Sequence, residues 1–362
     1  MHLFATIPQP DGSKYTDTFT PLLRALFAPA RTSGHGPYYF VRTWDGATGS
    51  ETLQISIDEL PDPARTRDDL LELANRQGCE ARVEIRPRDT APSPLWNAGF
   101  AGSGFTESSQ RLFQRAAPTL IGLLERSAEG GDQLSAALDV LRLMATHSRA
   151  TLLNSPQRGL DGYEFRDLLA LRLLSYRSHF EAVYLRTKNP ESFEAACARF
   201  YEQAGPAVRD FIRACGDPTG DVTGDPGERT PLRQWTELVT TESGHLADRF
   251  LSGALVNAGE TLADLERRRG GPVEPTRFHT PPIPELDRLM HRDADFLAFR
   301  LLTSLLYSSL HTLGLSLAER YVYCYVVARA SEEVAGRSVK ELQDELDGLA
   351  KAMAAVPSAA VE

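Results

Sequence analysis

The sequence predicts an α+β protein, with a small N-terminal mixed sheet carrying helices followed by a large, mainly α-helical portion. Two observations predict it. Short runs enriched in aromatic and β-branched residues are confined to the first ninety positions. From Phe105 onward, apolar residues recur at helical spacing nearly to the end. The expected division places a small α/β region over residues 1–95 and a helical region over 96–362.

Taken in order, Leu3 to Ile7 reads as a strand, and the opening residues lack the basic start and longer apolar run of a secretion signal. Pro21 to Phe27 and Arg67 to Gln77 carry leucines at helical spacing. Tyr38 to Thr43, Leu53 to Ile57 and Ala81 to Ile85 are further strands, and Trp44-Asp45-Gly46-Ala47-Thr48-Gly49 supplies turn chemistry. Helices are expected over 106–127, 131–149, 162–186, 190–215, 230–268 with a break, 295–313, 316–331 and 337–354. Two stretches rich in turn and breaker residues, Gly216 to Gly227 and Gly270 to Pro284, read as loops, linkers or lids. There is no internal repeat and no Gly-rich phosphate loop.

Composition narrows the function classes. With 42% apolar and 24% charged residues in 362, the chain reads as an ordinary soluble globular protein able to bury a sizeable core. No run approaches the ~18 uncharged apolar residues that cross a bilayer. A net charge of −10 argues against nucleic acid as the main partner. Cys79, Cys197, Cys215 and Cys324 are isolated and show no metal-ligand spacing. A reduced, cytoplasmic setting is expected, with Cys197 and Cys324 in the core on helices. Arginine is locally dense, with Arg142, Arg149, Arg158, Arg166, Arg172, Arg177 and Arg186 in one segment, enough to hold an acidic peptide or developing anionic oxygens.

The most informative stretch is Leu301 to His311. On a helix, Arg300, Ser304, Tyr307 or Ser308, and His311 share one face, while leucines occupy the rest. A polar stripe in so apolar a helix either meets other polar groups or faces a cavity. A hydroxyl, a phenol and an imidazole in one row suit proton transfer. Thr106 to Arg115 opens an earlier helix, where Glu107 and Arg111 form either a surface pair or a tuned carboxylate at a cleft mouth. Gln110 lies between them. Ser175 to Glu181 is a polar patch on a leucine-rich helix. There His179 is a proton carrier and Arg177 an oxygen binder, unless both only stitch helices together. Tyr38 to Asp45 is an aromatic strand that either stacks heteroaromatic rings or lies in the core. His147 has no evident chemical partner and reads as structural.

Three of these pieces occur in a recognisable order: Phe40-Val41-Arg42-Thr43-Trp44-Asp45-Gly46, then Ser175-Tyr176-Arg177-Ser178-His179-Phe180-Glu181, then Leu305-Leu306-Tyr307-Ser308-Ser309-Leu310-His311 followed by Glu319-Arg320. The pattern resembles the glutamate-elimination domain of class I lanthipeptide dehydratases and the related stand-alone enzymes of thiopeptide biosynthesis, over almost the whole chain. The departures are informative. Where the family's eliminating members are expected to carry H-x-R-x-R, this chain has Glu51-Thr52-Leu53-Gln54-Ile55-Ser56. Where they carry an H-M-x-x-N-R type motif, it has Tyr307-Ser308-Ser309-Leu310-His311-Thr312. A scaffold without those groups is similar to the thiopeptide pyridine synthases.

The resemblance implies an enzyme that joins two dehydroalanines of a thiazole-containing ribosomal peptide by a formal aza-[4+2] cycloaddition. Loss of water and of the leader peptide as its amide then yields a pyridine closing a macrocycle. No cofactor and no metal are implied. The implied partners are the precursor peptide, with its leader and its thiazole and dehydroalanine core, and possible companion biosynthetic enzymes, without nucleic acid or membrane. On this reading Tyr307, Ser308, His311 and Ser304 carry the proton transfers, with Glu107 and His179 as further candidates. Arg111 and Arg177 would orient amide carbonyls, and Gln110, Tyr176, Arg42 and Trp44 join them as substrate-binding candidates. Holding the two alkenes together should dominate, since well-oriented reactants recover roughly 7–11 kcal/mol of barrier. The proline-rich stretch 270–284 would close over the groove, and the leader would dock on the N-terminal sheet. The rival readings are a glutamate-elimination subunit of a split tRNA-dependent dehydratase and a non-catalytic leader-binding scaffold.

Overall fold

The computed structural model describes residues 2–10, 12–28, 36–45, 50–87, 93–95, 99–128, 132–153, 162–185, 187–224, 228–259 and 281–355. Strands β1 (His2–Pro8), β2 (Tyr38–Asp45), β3 (Ser50–Ile57) and β4 (Arg82–Arg86) form one sheet of order β2-β3-β1-β4. All three pairings are antiparallel, so the sheet is not mixed in strand direction. The register follows the side-chain alternation. Leu3, Ala5 and Ile7 stand opposite Ile57, Ile55 and Leu53, and together with Phe40 they face helices α1 (Tyr15–Leu26) and α2 (Pro63–Arg76). Tyr39 and Val41 point the other way, into the helical core, where Tyr39 tilts against Phe113. The aromatic strand is therefore core on both faces.

Among the described residues nine further helices follow: α3 (Phe105–Ala128), α4 (Gln133–Leu153), α5 (Phe165–Tyr184), α6 (Pro190–Cys215), α7 (Pro231–Leu251), α8 (Pro284–Arg292), α9 (Ala294–Thr312), α10 (Leu317–Ala335) and α11 (Val339–Ala355). Two-residue strands β5 (Phe100–Ala101) and β6 (Val256–Asn257) pair antiparallel beside them. Helix starts follow their caps. Asn189 and Thr230 each accept a backbone N–H before a proline at the first helical position. Ser316 and Glu319 form a reciprocal capping box. Helix α3 joins the two cores, because Ala117, Leu120, Ile121 and Leu124 face the sheet while Leu112, Phe113 and Ala116 face the helices.

Helix α9 runs through the helical core, with Leu301, Leu302, Leu305, Leu306 and Leu310 fully buried. Asp293 is at once the residue that ends α8 and the N-cap of α9. Its N–H donates to the Arg288 carbonyl and its carboxylate accepts from Phe296 N at 2.8 Å. Helix α8, which was not expected, begins at the last residue of the proline-rich stretch read as a loop; Pro284 starts it rather than breaking it. The helix expected over 230–268 ends at Leu251, with Gly253 at φ +75° just beyond. Residues 260–280, which hold most of the proposed lid, lie outside the described residues. All four cysteines are free and buried, Cys197, Cys215 and Cys324 on helices. No helix among the described residues is long and apolar enough to cross a membrane.

Candidate functional site

Two polar rows on otherwise apolar helices face each other. On α5, residues 172, 175 and 179 fall three or four apart; on α9, residues 300, 304 and 307 do the same. Between them lies a cavity of about 310 Å³, lined by Arg172, Ser175, Ser178 and His179 from one side and by Phe296, Phe299, Arg300, Thr303, Ser304 and Tyr307 from the other. Phe100, Leu152, Leu289, Met290, Leu346, Leu349 and Met353 supply apolar walls, and Asp293 and Asp295 lie at the elbow end. A concave, largely apolar space with a few convergent polar groups is what ligand sites share.

His179 and Tyr307 meet edge to face, with ring centroids 4.8 Å apart. The His179 Nδ1 lies 2.7 Å from the Ser175 carbonyl. A carbonyl can only accept, so Nδ1 carries the hydrogen and a neutral ring keeps its lone pair on Nε2. Tyr307 is 8% exposed, and burial holds its phenol pKa well above the ordinary value, so the group keeps its proton. Its hydroxyl lies 3.6 Å from the Cys324 sulfur, a weak partner that burial keeps a thiol by raising its pKa to about 11. Arg320 lies over the Tyr307 ring, 4.8 Å from its centre. Ser304 donates to the Arg300 carbonyl at 3.1 Å.

Both cavity arginines are desolvated. Arg172 sits 4.3 Å over the Phe299 ring and 5.8 Å from that of Phe296, and burial lowers its pKa to about 10, with Asp293 and Asp295 working in the opposite direction. It remains a cation at neutral pH. Arg300 lies over Phe100 at 5.5 Å and donates to the Met290 carbonyl at 3.0 Å; burial lowers its pKa too. Among the described residues neither is closed into an ion pair. Thr303 carries the cavity back to His147, whose Nε2 is 3.4 Å from its hydroxyl, and burial pushes that histidine down to about 3.

The sequence stripe is thus divided. Arg300, Ser304 and Tyr307 line the cavity, while Ser308 and His311 do not. At 100° per residue Ser308 is turned roughly 80° from Arg300. His311 shares the face but lies a turn beyond the Tyr307 ring, next to the sheet. Its Nδ1 is 3.4 Å from the Leu315 carbonyl, and burial, helped by Arg42, lowers its pKa. Arg42 ties sheet to helix: it pairs with Glu51, stacks over Tyr15 at 4.1 Å and donates to the His311 carbonyl.

The remaining candidates stand elsewhere. Glu107 is exposed and pairs with Arg249 at 2.8 Å, not with Arg111. Arg111, with Arg115, grips Glu242, which is 1% exposed. The spacing of Glu107 and Arg111 suggested a pair along one helix, but α7 offers both a closer partner. Gln110 is half-buried on the same helix. Arg177 is bound to Glu181 at 2.9 Å, with Glu332 nearby at 3.9 Å. Tyr176 is buried, its hydroxyl donating to the Met144 carbonyl at 2.8 Å. Trp44 stands opposite Glu51 on β2, its side chain outside the described part.

Sequence reasoning did not single out Arg172 as a site residue and noted Arg300 only as part of the stripe. The signal for Arg172 was its place on one row with Ser175 and His179. Among the described residues no group of three or more His, Cys, Asp or Glu is placed to hold a metal ion.

The fold is one that a solved pyridine synthase adopts. That structure is TbtD, from thiomuracin biosynthesis: 17% identity, TM-score 0.55, covering 92% of this chain and 99% of that one. The crystal structure of TsrL is similar at 18% identity and a TM-score of 0.66, covering 96% of this chain and 98% of that one. The resemblance read from the sequence therefore extends to the fold. No protein-family model matches the chain, and no curated protein sequence does.

Proposed function

We propose that this chain is a thiopeptide pyridine synthase that acts on a ribosomal precursor bearing thiazoles and two dehydroalanines. The observation that carries the reading is one of extent: 92% of this chain superposes on 99% of a solved pyridine synthase, with no large part of either left over. The cavity chemistry fits the reaction. The amide N–H before one dehydroalanine loses its proton and its oxygen gains one, giving a 2-azadiene. Two carbon–carbon bonds then join the azadiene ends to the second alkene.

Water leaves with the hydroxyl of the former amide carbon and a proton from one ring methylene. The leader amide leaves with a proton from the other, and the ring becomes a pyridine. In this scheme His179 Nε2 takes protons and Tyr307, which retains its own, supplies them or donates a hydrogen bond to the oxygen, with Ser304 beside it. Ser308, His311, Glu107, Arg111, Gln110, Arg177, Tyr176 and Arg42 are not among the described residues that line the cavity and take no step in this scheme; nor does Trp44, whose side chain lies outside the described part. The leader docks on the region 1–95.

A second reading, elimination of glutamate from a glutamylated peptide, has one observation in its favour: two arginines face the cavity and could meet a departing carboxylate. Mass spectrometry separates the two. Mixing the protein with a bis-dehydroalanine, thiazole-containing precursor should give a macrocycle and an intact leader amide. An unchanged precursor, together with dehydroalanine formation from a glutamylated peptide, would overturn the first reading in favour of the second.

A further inference from the structure

We infer that the Arg172–Arg300 end of the cavity is a subsite for a neutral aryl amide, an azole ring carrying its acyl oxygen, and that it rejects the corresponding free carboxylate. This deepens the reading above and rests on it for its role, though not for its test. Three features lead to it.

First, both guanidiniums lie over aromatic rings, Arg172 4.3 Å from the centre of Phe299 and Arg300 5.5 Å from that of Phe100. A cation–π contact takes up no hydrogen-bond acceptor, and each guanidinium has five N–H donors to place. Among the described residues only the bond from Arg300 to the Met290 carbonyl uses any of them. Leaving desolvated cations without close partners costs more than a cation–π contact returns. Such groups are where a ligand's oxygen would be held.

Second, the ligand's charge can be argued. Asp293 and Asp295 line the same space, so two guanidiniums face two carboxylates. An anionic ligand drawn by the arginines would also meet these carboxylates, whose repulsion offsets part of the attraction. A carbonyl oxygen keeps the short-range hydrogen bonds and escapes most of that repulsion.

Third, Phe296, Phe299, Leu289, Leu346 and Leu349 make the walls apolar and flat-sided, suited to a ring. A cysteine-derived azole in a peptide carries its carbonyl on the ring, so the subsite takes azole and carbonyl as one rigid plane. Guanidinium N–H donors on that oxygen stabilise negative charge as it develops there, so the amide N–H would lose its proton more readily, and the oxygen would be held in place for ring closure.

The test is fragment binding followed by NMR, using N-methylthiazole-4-carboxamide, thiazole-4-carboxylate and 4-methylthiazole. The carboxamide should bind saturably and about tenfold more tightly than either other fragment, and Arg172→Gln and Arg300→Gln should each weaken it by about tenfold or more. Arg172→Lys, which keeps the charge but not the planar fork, should bind between wild type and Arg172→Gln and covers the case in which the glutamine variant does not fold. Tighter binding of the carboxylate, equal binding by folded variants, or no saturable carboxamide binding would overturn the inference. No turnover is involved. A protein that binds the carboxamide but forms no pyridine sinks the proposed function alone, whereas an active one that does not discriminate sinks the subsite alone.

Discussion

Tyr307 meets an imidazole edge to face and lies beneath a guanidinium, and burial keeps its phenol protonated. Such a group donates and does not accept protons. Tyr307→Phe should therefore lower the single-turnover rate of ring closure by roughly 100-fold, with leader affinity and melting midpoint little changed, since the lost contact to Cys324 is weak. A comparable fall in leader affinity would show that the ring, not the hydroxyl, matters. His147 makes a prediction about stability. Its pKa is held near 3 in the fold, below the ordinary value of 6.5, because burial penalises the charged ring. Between those values the unfolded chain binds the proton and the folded one does not. Stability should therefore fall on acidification through this window, by up to about 1.4 kcal/mol per pH unit from this residue. Urea midpoints from pH 7 to pH 4 should fall less steeply in His147→Gln than in wild type. At this scale the sequence was legible where spacing alone decides, as for Ser304 and Tyr307. Arg172 was harder to see, because nothing in its neighbours shows that α9 presents Phe299 and an open space opposite it.

Elements were legible where local chemistry sets their ends. The helical spacing of Cys197, Ala204, Val208, Ile212 and Cys215 and the Asn189-Pro190 cap place α6 over the residues expected of it, 190–215. Helix α8 was missed because Pro281, Pro282 and Pro284 look like breakers, while the last of them is a helix start. The contact between α3 and α7 was invisible too, since charges 131 and 127 residues apart, Arg111 and Arg115 against Glu242, leave no local signal. That contact predicts an asymmetry. Glu242 is buried and its two arginines are part-exposed. Glu242→Gln should cost less than about 2 kcal/mol because its two part-exposed arginines rehydrate, and Arg111→Gln less than about 1 kcal/mol because Arg115 remains, whereas Arg111→Gln with Arg115→Gln should cost on the order of 3 kcal/mol because the buried carboxylate keeps no cation. Chemical denaturation of the three variants checks this. If Arg111→Gln instead abolished turnover with stability intact, Arg111 would be acting on the substrate.

On the scale of the whole molecule, the two ends of the sheet differ. At the β2 end, the Arg42 backbone N–H is already taken by the Thr312 hydroxyl of α9 at 3.1 Å, so that edge is closed by the helical core. At the β4 end, residues Arg82 to Arg86 are exposed or half-exposed, with β1 on one side only among the described strands. A leader added as a further strand would pair there. Hydrogen–deuterium exchange with leader peptide present should slow in residues 82–86 and not in 38–45; protection confined to the helical region would exclude a sheet dock. That the β2 edge is covered could not be read from the strand itself, because the closing hydroxyl comes from 270 residues away.

The single-residue joint at Asp293 has a mechanical consequence. The Met290 carbonyl that anchors Arg300 belongs to the helix before the joint, and Arg300 itself to the helix after it. Any tilt of the shorter rod to admit a bulky chain therefore tugs the anchor from the guanidinium, so the doorway and the polarity of the chamber are geared together and cannot be tuned one without the other.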